Sequence, residues 1–231
     1  MNILNELVNG SGYVVTKIND LKKFNELRRV LIKKMNFKEK DILSVRKKIS
    51  NMNNAQINRM MINLLSLNTA SEMMIESCKN IVKEVSGKKI FLQRRANTIF
   101  NLPGKNQRRQ WPHYELMSGI SPYSFVLWAP FHDLEDDDGV FYYKNQDSIK
   151  MIKSEEKKGL VNGPQILKLK NKLKPTKLKY GDVIIFNPFI LHGNKDFNSN
   201  FTRIACSVRF QSTLMPIMQK NSDFFKFYKI N

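Results

Sequence analysis

The sequence predicts an α+β fold, in which helices from the first part of the chain pack on one face of an antiparallel β-barrel or sandwich. Apolar side chains recur at three- and four-residue steps between residues 21 and 85, which is typical of amphipathic helices. From residue 89 onward the apolar segments are short and separated by turn residues, which indicates antiparallel strands. Because the helices precede the strands instead of alternating with them, we expect them to cover one face of the sheet.

The helical periodicity has recognisable ends. Its three parts are residues 21–35, 40–52 and 56–85, the last with a break near residues 67–69. Asn19-Asp20 is a suitable N-cap for the first part, and Ser86-Gly87 is a suitable end for the last. Cys78 lies on the apolar stripe of the last part, so we expect its thiol to be buried and inert. Before the helices, residues 10–18 predict a turn and a short strand.

The second part of the chain predicts several short strands. They cover residues 89–100, 111–117, 123–131, 140–143 and 202–211, together with an apolar strand that follows the Gly181-Asp182 turn. Residues 145–175 are polar and lysine-rich, and such an insertion often forms a lid over a site. The acidic run at residues 135–138 lacks the ligand spacing of a calcium loop, which favours a solvated turn.

Length and composition indicate one domain over residues 1–231, with mainly helical support and one early strand over 1–88 and the strand-rich core over 89–231. No apolar run is long enough to cross a bilayer, and no secretory signal is visible at the N-terminus. The two cysteines lie in different local patterns and do not suggest a disulfide framework. We therefore expect a cytoplasmic, reduced protein. The N-terminal helices could also serve a homodimer interface.

The net charge of +19 and the pI near 9.9 have more than one interpretation. They could indicate a nucleic-acid or anionic-membrane partner, or a biased composition rich in Lys, Asn and Ile. The basic residues are spread along the chain, and no aromatic interleaving forms a stacking platform for bases. A nucleic-acid partner is therefore not expected, and an anionic small-molecule substrate explains local positive charge at least as well.

Three residues could form an iron site. His113 and Glu115 are two residues apart, so a strand would direct both side chains to the same face. His192 follows the Gly181-Asp182 strand. Two imidazoles and one carboxylate are the set that binds Fe(II) on one face and leaves open positions opposite. Arg203 lies eleven residues beyond His192, far enough for a turn and a return strand that would bring a guanidinium to a bound carboxylate.

Further polar residues are candidates for substrate binding. Gln93 and Asn97 lie on the predicted strand 89–100 and are candidate substrate contacts. Arg209 shares a predicted strand face with Arg203, and could either bind an anionic substrate group or form a salt bridge. His132 is expected to be structural or to support the site from outside.

The order His113-Tyr114-Glu115, the Tyr180-Gly181-Asp182 turn with its apolar strand, His192 and Arg203 resembles the Fe(II)/2-oxoglutarate-dependent oxygenases. Within them it is most similar to the phytanoyl-CoA dioxygenase-like branch. The stretch from Trp111 to Phe131 resembles a bacterial group associated with carbohydrate-biosynthesis clusters. These motifs cover roughly residues 89–211.

The resemblance implies a double-stranded β-helix (jelly-roll or cupin-like) core over residues 89–231. Fe(II) would be held by His113, Glu115 and His192, and Arg203 would pair with the far carboxylate of 2-oxoglutarate. The implied activity uses O2 to convert 2-oxoglutarate to succinate and CO2 while a small substrate, sugar-related or anionic, is hydroxylated or otherwise oxidised.

Two departures from the family pattern keep alternatives open. Glu115 stands where the family more often has Asp, and Ala205 stands where a hydroxyl residue often helps to hold the co-substrate, so another side chain would have to substitute. These departures favour a catalytically inactive ligand-binding β-barrel. The pair Arg203 and Arg209 instead resembles the paired arginines of alkylation-repair nucleic-acid demethylases, although the region around His113 lacks that family's pattern and no base-stacking loop is apparent.

Overall fold

A computed structural model describes residues 2–38, 41–103, 113–134, 140–156, 176–194, 199–218 and 223–231. Within these ranges the protein consists of a helical layer, a large antiparallel sheet and a small two-stranded sheet. The α+β prediction is confirmed at this level. Trp111, the acidic run at 135–138 and the second half of the expected lid (157–175) lie outside the described residues. No helix in the described ranges is long and apolar enough to cross a membrane.

The helices largely follow the predicted periodicity. They are α1 (Ile3–Val8), α2 (Leu21–Lys34), α3 (Ile42–Ser50), α4 (Asn54–Leu65), α5 (Ala70–Ser77), α6 (Lys79–Ser86) and α7 (Asn145–Glu156). The Asp20 side chain accepts a hydrogen bond from the Lys23 amide and so caps α2 as predicted. Gly87 ends α6 with a φ of 77°. The break at Cys78 and helix α1 were not predicted, and α7 forms the first half of the expected insertion.

The large sheet contains most of the strands. The strands are β1 (Tyr13–Lys17), β2 (Lys89–Gln93), β3 (Asn97–Asn101), β4 (Phe125–Pro130), β5 (Val140–Tyr142), β6 (Asp182–Phe186), β7 (His192–Asn194), β8 (Arg203–Ser212) and β9 (Phe225–Lys229). The large sheet has the order β1-β6-β4-β8-β2-β9, with β3 also paired to β8, and β5 and β7 form the small sheet. All of these pairings are antiparallel.

Strand β8 organises the large sheet because it is long enough to pair with three others. One edge of β8 pairs with β4, and its other edge pairs with β3 near its start and β2 near its end. The prediction of one continuous strand over residues 89–100 is wrong. The chain bends at residues 94–96, so that β2 and β3 occupy successive lengths of the same β8 edge.

The two faces of β8 have different surroundings. Ile204, Cys206, Val208 and Phe210 are fully buried against the helices in the main hydrophobic cluster. Ala205 belongs to a second cluster on the opposite face. Because side chains alternate along a strand, that second face also carries the polar residues of β8 and faces away from the helical layer. Helices therefore cover one face of the sheet and leave the other to the polar side chains.

Both cysteines lie in the main cluster. Cys78 and Cys206 are free thiols and fully buried. Burial raises the pKa of each to about 12, so both stay protonated at neutral pH. The expectation that Cys78 is buried is confirmed, and its raised pKa agrees with the expectation of an inert thiol.

His132 continues the pairing of β4 with β8 beyond the end of β4. Phe131 donates its amide to the Ile204 carbonyl, and the Ile204 amide donates to His132 Nε2 at 3.3 Å. His132 Nδ1 lies 2.7 Å from the Asp133 carbonyl, so the neutral ring with its proton on Nδ1 satisfies both contacts. Burial and the nearby charge of Arg46 lower the pKa of His132 to about 4.

This depressed pKa predicts a loss of stability in acid. In the unfolded chain His132 has its usual pKa of about 6.5, whereas in the folded chain its pKa is about 4. The effect of His132 on the free energy of unfolding is therefore most favourable above about pH 6.5. As the pH falls towards 4, the free energy of unfolding decreases by up to about 3 kcal/mol through this residue. We expect the thermal midpoint of the wild type to fall more steeply between pH 6.5 and 4 than that of His132→Gln, which keeps an acceptor for the Ile204 amide. Parallel pH profiles for the two proteins would contradict this account.

Candidate metal centre

His113 and His192 form a pair across the backbone. The His113 amide donates to the His192 carbonyl at 2.8 Å, and the His192 amide donates to the His113 carbonyl at 2.9 Å. Directly opposed residues of an antiparallel pair project their side chains to the same side. The two imidazole rings accordingly lie 4.3 Å apart, centroid to centroid. Two histidines distant in sequence are thereby brought to one place.

Glu115 reaches the histidines by a different route from the one predicted. The prediction of a strand over residues 111–117 is wrong, because His113 forms an isolated bridge and Glu115–Ser118 is a 3-10 helix that ends at Gly119. The Glu115 amide donates to the Pro188 carbonyl at 3.1 Å, which ties the start of this helix to the turn after β6. Glu115 is only 2% exposed.

The three side chains converge on one point. One ligand atom from each of His113, Glu115 and His192 lies within 4.8 Å of the others. Among these atoms, Glu115 Oε1 and His192 Nε2 lie 3.7 Å apart. Two imidazole nitrogens and a carboxylate oxygen at this spacing make a site suited to Fe(II).

The surroundings of His192 prepare its Nε2 for a metal. His192 Nδ1 lies 2.9 Å from the Ile190 carbonyl, which fixes the proton on Nδ1 and leaves the lone pair of Nε2 directed at Glu115. The ring packs between Tyr142, 5.7 Å away and nearly parallel, and Phe186, 4.7 Å away. Burial and the neighbouring His113 lower the pKa of His192 to about 3, so the ring is neutral at pH 7, the form that binds metals.

The Glu115 carboxylate is paired with Arg209. Glu115 Oε2 accepts from Arg209 Nε and Nη2, each at 2.6 Å. Burial alone would raise the pKa of Glu115, but the charge of Arg209, the two imidazoles and the Arg209 hydrogen bond together hold it below its usual value. The carboxylate is therefore ionised at neutral pH. Of the two roles considered for Arg209, the structure contains the salt bridge.

Gln93 and Asn97 extend this contact away from the centre. Gln93 Oε1 accepts from the Arg209 amide at 3.0 Å and from Arg209 Nη1 at 3.3 Å. Gln93 Nε2 donates to Asn97 Oδ1 at 3.1 Å. Gln93 is buried and Asn97 is exposed. The three residues predicted for substrate binding thus form one hydrogen-bonded chain that starts at Glu115.

Arg203 lies at the start of β8 and is fully buried. Its guanidinium lies over the ring of Trp128, 5.5 Å from the centroid. Arg203 occupies the same face of β8 as Arg209. On that face Arg209 is paired with Glu115, and Arg203 lies over Trp128.

Tyr142 is a residue that the sequence did not single out. It lies opposite His192 in the β5–β7 pair, and its hydroxyl is buried with no hydrogen-bond partner among the described residues. Burial raises the pKa of Tyr142 far above its usual value, while Arg203 lowers it and Glu115 raises it. Both charges therefore act on this hydroxyl. Nothing local distinguishes Tyr142 from Tyr143, and only the pairing with His192 could have identified it.

The turn between β6 and β7 is fastened to the N-terminal segment. Asn187 donates its backbone amide to the Gly12 carbonyl at 3.0 Å and its side-chain amide to the Leu7 carbonyl at 2.7 Å. Asn187 Oδ1 accepts from the Phe189 amide at 2.9 Å, which closes the turn. Since Pro188 anchors Glu115 and this turn leads into His192, the N-terminal segment supports two of the three candidate ligands.

Comparison with known proteins gives a likeness of fold. No protein-family model matches the sequence, and no curated protein matches it significantly. Among solved structures, the non-heme monooxygenase ThoJ in complex with nickel is 13% identical, covering 90% of this chain and 77% of that one, with a TM-score of 0.54. EctD from S. alaskensis with bound iron is 11% identical, and the match covers 90% of this chain and 75% of EctD with a TM-score of 0.56. HygX from Streptomyces hygroscopicus with nickel and 2-oxoglutarate bound is 10% identical, and the match covers 100% of this chain and 96% of HygX with a TM-score of 0.56.

Gly12 provides a test of the support given to the β6–β7 turn. Gly12 has a φ of 86°, and a Cβ there would overlap Ile190 Cδ1. We expect Gly12→Ala to lower the free energy of unfolding by about 1–3 kcal/mol and to weaken Co(II) binding at the metal centre. Gly181→Ala is the matched control, because Gly181 has a φ of 92° and its added Cβ would meet only Leu21 Cδ1 at an ordinary 3.5 Å. Equal losses in both variants, measured by urea unfolding, would show that the overlap with Ile190 has no effect.

Proposed function

We propose that this chain is a non-haem Fe(II)/2-oxoglutarate-dependent oxygenase that oxidises a small molecule. His113, Glu115 and His192 hold the iron, and Arg203 binds the far carboxylate of 2-oxoglutarate. The observation that carries the proposal is the convergence of two imidazoles and one ionised carboxylate within 4.8 Å in a largely buried site. The fold likeness to proteins whose structures hold iron, or nickel with 2-oxoglutarate, supports it.

The residues of the chain have distinct tasks in this proposal. Bound iron supplies the activation of O2 that is coupled to conversion of 2-oxoglutarate to succinate and CO2. His192 is held in the metal-binding tautomer by Ile190, and Glu115 is kept ionised by Arg209. Burial excludes water from both ligands, which strengthens every electrostatic contact at the centre.

The co-substrate site is formed by Arg203 and Tyr142. A buried guanidinium is suited to a carboxylate, which it can pair with bidentately. The Tyr142 hydroxyl lacks a partner among the described residues and is influenced by the charges of both Arg203 and Glu115. It can therefore donate to an acid bound between them. In this position Tyr142 supplies the hydroxyl that is missing at Ala205, with which it shares the second hydrophobic cluster.

The finer assignments follow from the same features. A small sheet that carries the candidate ligand His192 and packs against Phe186 of the large antiparallel sheet is the arrangement we expect of a double-stranded β-helix core. The order of His113, Glu115, His192 and Arg203 supports the phytanoyl-CoA dioxygenase-like branch. A small, sugar-related or anionic substrate remains part of the proposal. The alkylation-repair alternative depended partly on Arg209, whose described partners are Glu115 and Gln93.

Anaerobic titration of metal-free protein with Fe(II) and 2-oxoglutarate tests the proposal. We expect a visible charge-transfer band in the wild type, because the co-substrate chelates the iron. Glu115→Ala should remove the band by removing a ligand. Arg203→Lys should raise the 2-oxoglutarate concentration needed for half of the band by about 10- to 100-fold, since the bidentate contact is lost.

The control for this titration is Asp223→Asn. Asp223 is an exposed carboxylate whose only described ion pair is with Arg94, so its loss should leave the band unchanged. A folded wild type that gives no band would overturn the oxygenase proposal and favour the non-catalytic β-barrel.

Tyr142→Phe tests the co-substrate site separately from the metal site. Loss of one hydrogen bond to a charged group costs about 1.5 kcal/mol or more, so we expect 2-oxoglutarate affinity to fall about tenfold or more. Metal binding measured without 2-oxoglutarate should stay the same, because the substitution leaves all three candidate ligands and keeps the ring that stacks on His192. Tyr143→Phe is the matched control. An unchanged 2-oxoglutarate affinity in Tyr142→Phe would remove Tyr142 from the site.

A further inference from the structure

The contact between Arg209 and Glu115 is directed at a single oxygen. Arg209 Nε and Nη2 both lie 2.6 Å from Glu115 Oε2, and Oε1 is the oxygen that lies 3.7 Å from His192 Nε2. The carboxylate is thus divided between two partners. One oxygen is held by the guanidinium and the other is presented to His192.

Gln93 holds Arg209 in the orientation that this contact needs. The pairing of β2 with β8 reaches Leu92 opposite Phe210 and then stops at the bend after Gln93. The Gln93 side chain continues it, because its Oε1 accepts the Arg209 amide at 3.0 Å and also Nη1 at 3.3 Å. Gln93 Nε2 is fixed in turn by the Arg95 carbonyl at 2.7 Å. Backbone and guanidinium of Arg209 are therefore anchored by one buried amide.

Glu115 has a particular need for such an anchor. Its side chain has one more rotatable bond than the aspartate that the family more often has, and it starts from a 3-10 helix instead of a strand. An untethered glutamate could turn both oxygens towards a metal and occupy two coordination positions. With Oε2 engaged by two N–H groups, rotation of the carboxylate would break two charge-assisted hydrogen bonds.

We infer that Arg209, oriented by Gln93, is a positioning residue that restricts Glu115 to coordination through Oε1 alone. The restriction leaves free the coordination position that Oε2 would otherwise take, and an oxygenase needs open positions for co-substrate and O2. The inference rests on the metal site of the proposed function. It gives Arg209 and Gln93 a role towards the metal in place of the substrate contacts predicted from the sequence.

Co(II) titration of metal-free protein tests this role without turnover. Cobalt reports both affinity and, through the intensity of its visible bands, coordination number. Arg209→Lys keeps the positive charge but loses the pair of N–H donors that hold Glu115 Oε2. We expect it to weaken Co(II) binding by about 10- to 100-fold and to change the intensity of the cobalt bands. Gln93→Leu leaves Glu115 and Arg209 in place, so it should give a smaller change in the same direction.

The control is Arg94→Lys, an arginine whose described ion pair is with the exposed Asp223 and which should leave Co(II) binding unchanged. Circular dichroism and the thermal midpoint establish that each variant is folded. If Arg209→Lys does not fold, Gln93→Leu decides the outcome, because it touches no candidate ligand. Wild-type affinity and spectrum in a folded Arg209→Lys, or in Gln93→Leu when it must decide, would overturn the inference. Failure of the wild type to bind Co(II) would instead overturn the proposed function and the inference with it.

Discussion

The candidate metal centre depends on one backbone contact, the antiparallel pair formed by His113 and His192. With both main-chain hydrogen bonds made, at 2.8 and 2.9 Å, the two backbone positions that carry the imidazoles cannot separate without breaking them. On its other side His192 pairs with Tyr142 of β5. His192 therefore links His113 to β5. The small sheet is therefore the scaffold of the centre, although its strands are only three residues long.

Strand β8 separates two environments that place opposite demands on a protein. Its helical face contributes fully buried apolar side chains to the main cluster, and burial of this kind is the chief favourable term in folding. Its other face carries the buried Arg203 and the ion pair of Arg209 with Glu115. Taking such charges out of water is unfavourable unless each has partners. The apolar contacts of one face thus offset the free energy of holding charges on the other.

Much of the framework follows from local sequence patterns. The Asp20 cap, the start of β6 after the Gly181 turn and the alternation of β8 are local features, and the structure contains all three. The convergence of the three candidate ligands was also anticipated from residue type and order. The local structure that places Glu115 was predicted wrongly. Alternation along a strand would have brought His113 and Glu115 to the same side, and the 3-10 helix that begins at Glu115 brings them together instead.

What could not be predicted depends on contacts between distant segments. The bend between β2 and β3 exists because two strands share one edge of β8, which no window of the local sequence reveals. The Arg209 contact with Glu115 spans 94 residues of sequence. Tyr142 is brought next to His192 only by the pairing of β5 with β7. Propensity reports the preference of a segment alone, and these features arise from its tertiary neighbours.

The fastening of the β6–β7 turn to the N-terminus has a consequence for the order in which the molecule is assembled. Asn187 and Leu7 are 180 residues apart, and β1 pairs with β6 over a similar separation. Contacts of such high contact order form slowly because a long loop must be closed first. During synthesis β1 therefore cannot pair with β6 until β6 has left the ribosome. Until then β1 has an unpaired edge, which is prone to mispairing. Because His192 follows β6 in the chain, a chain truncated before residue 192 cannot form the candidate metal centre.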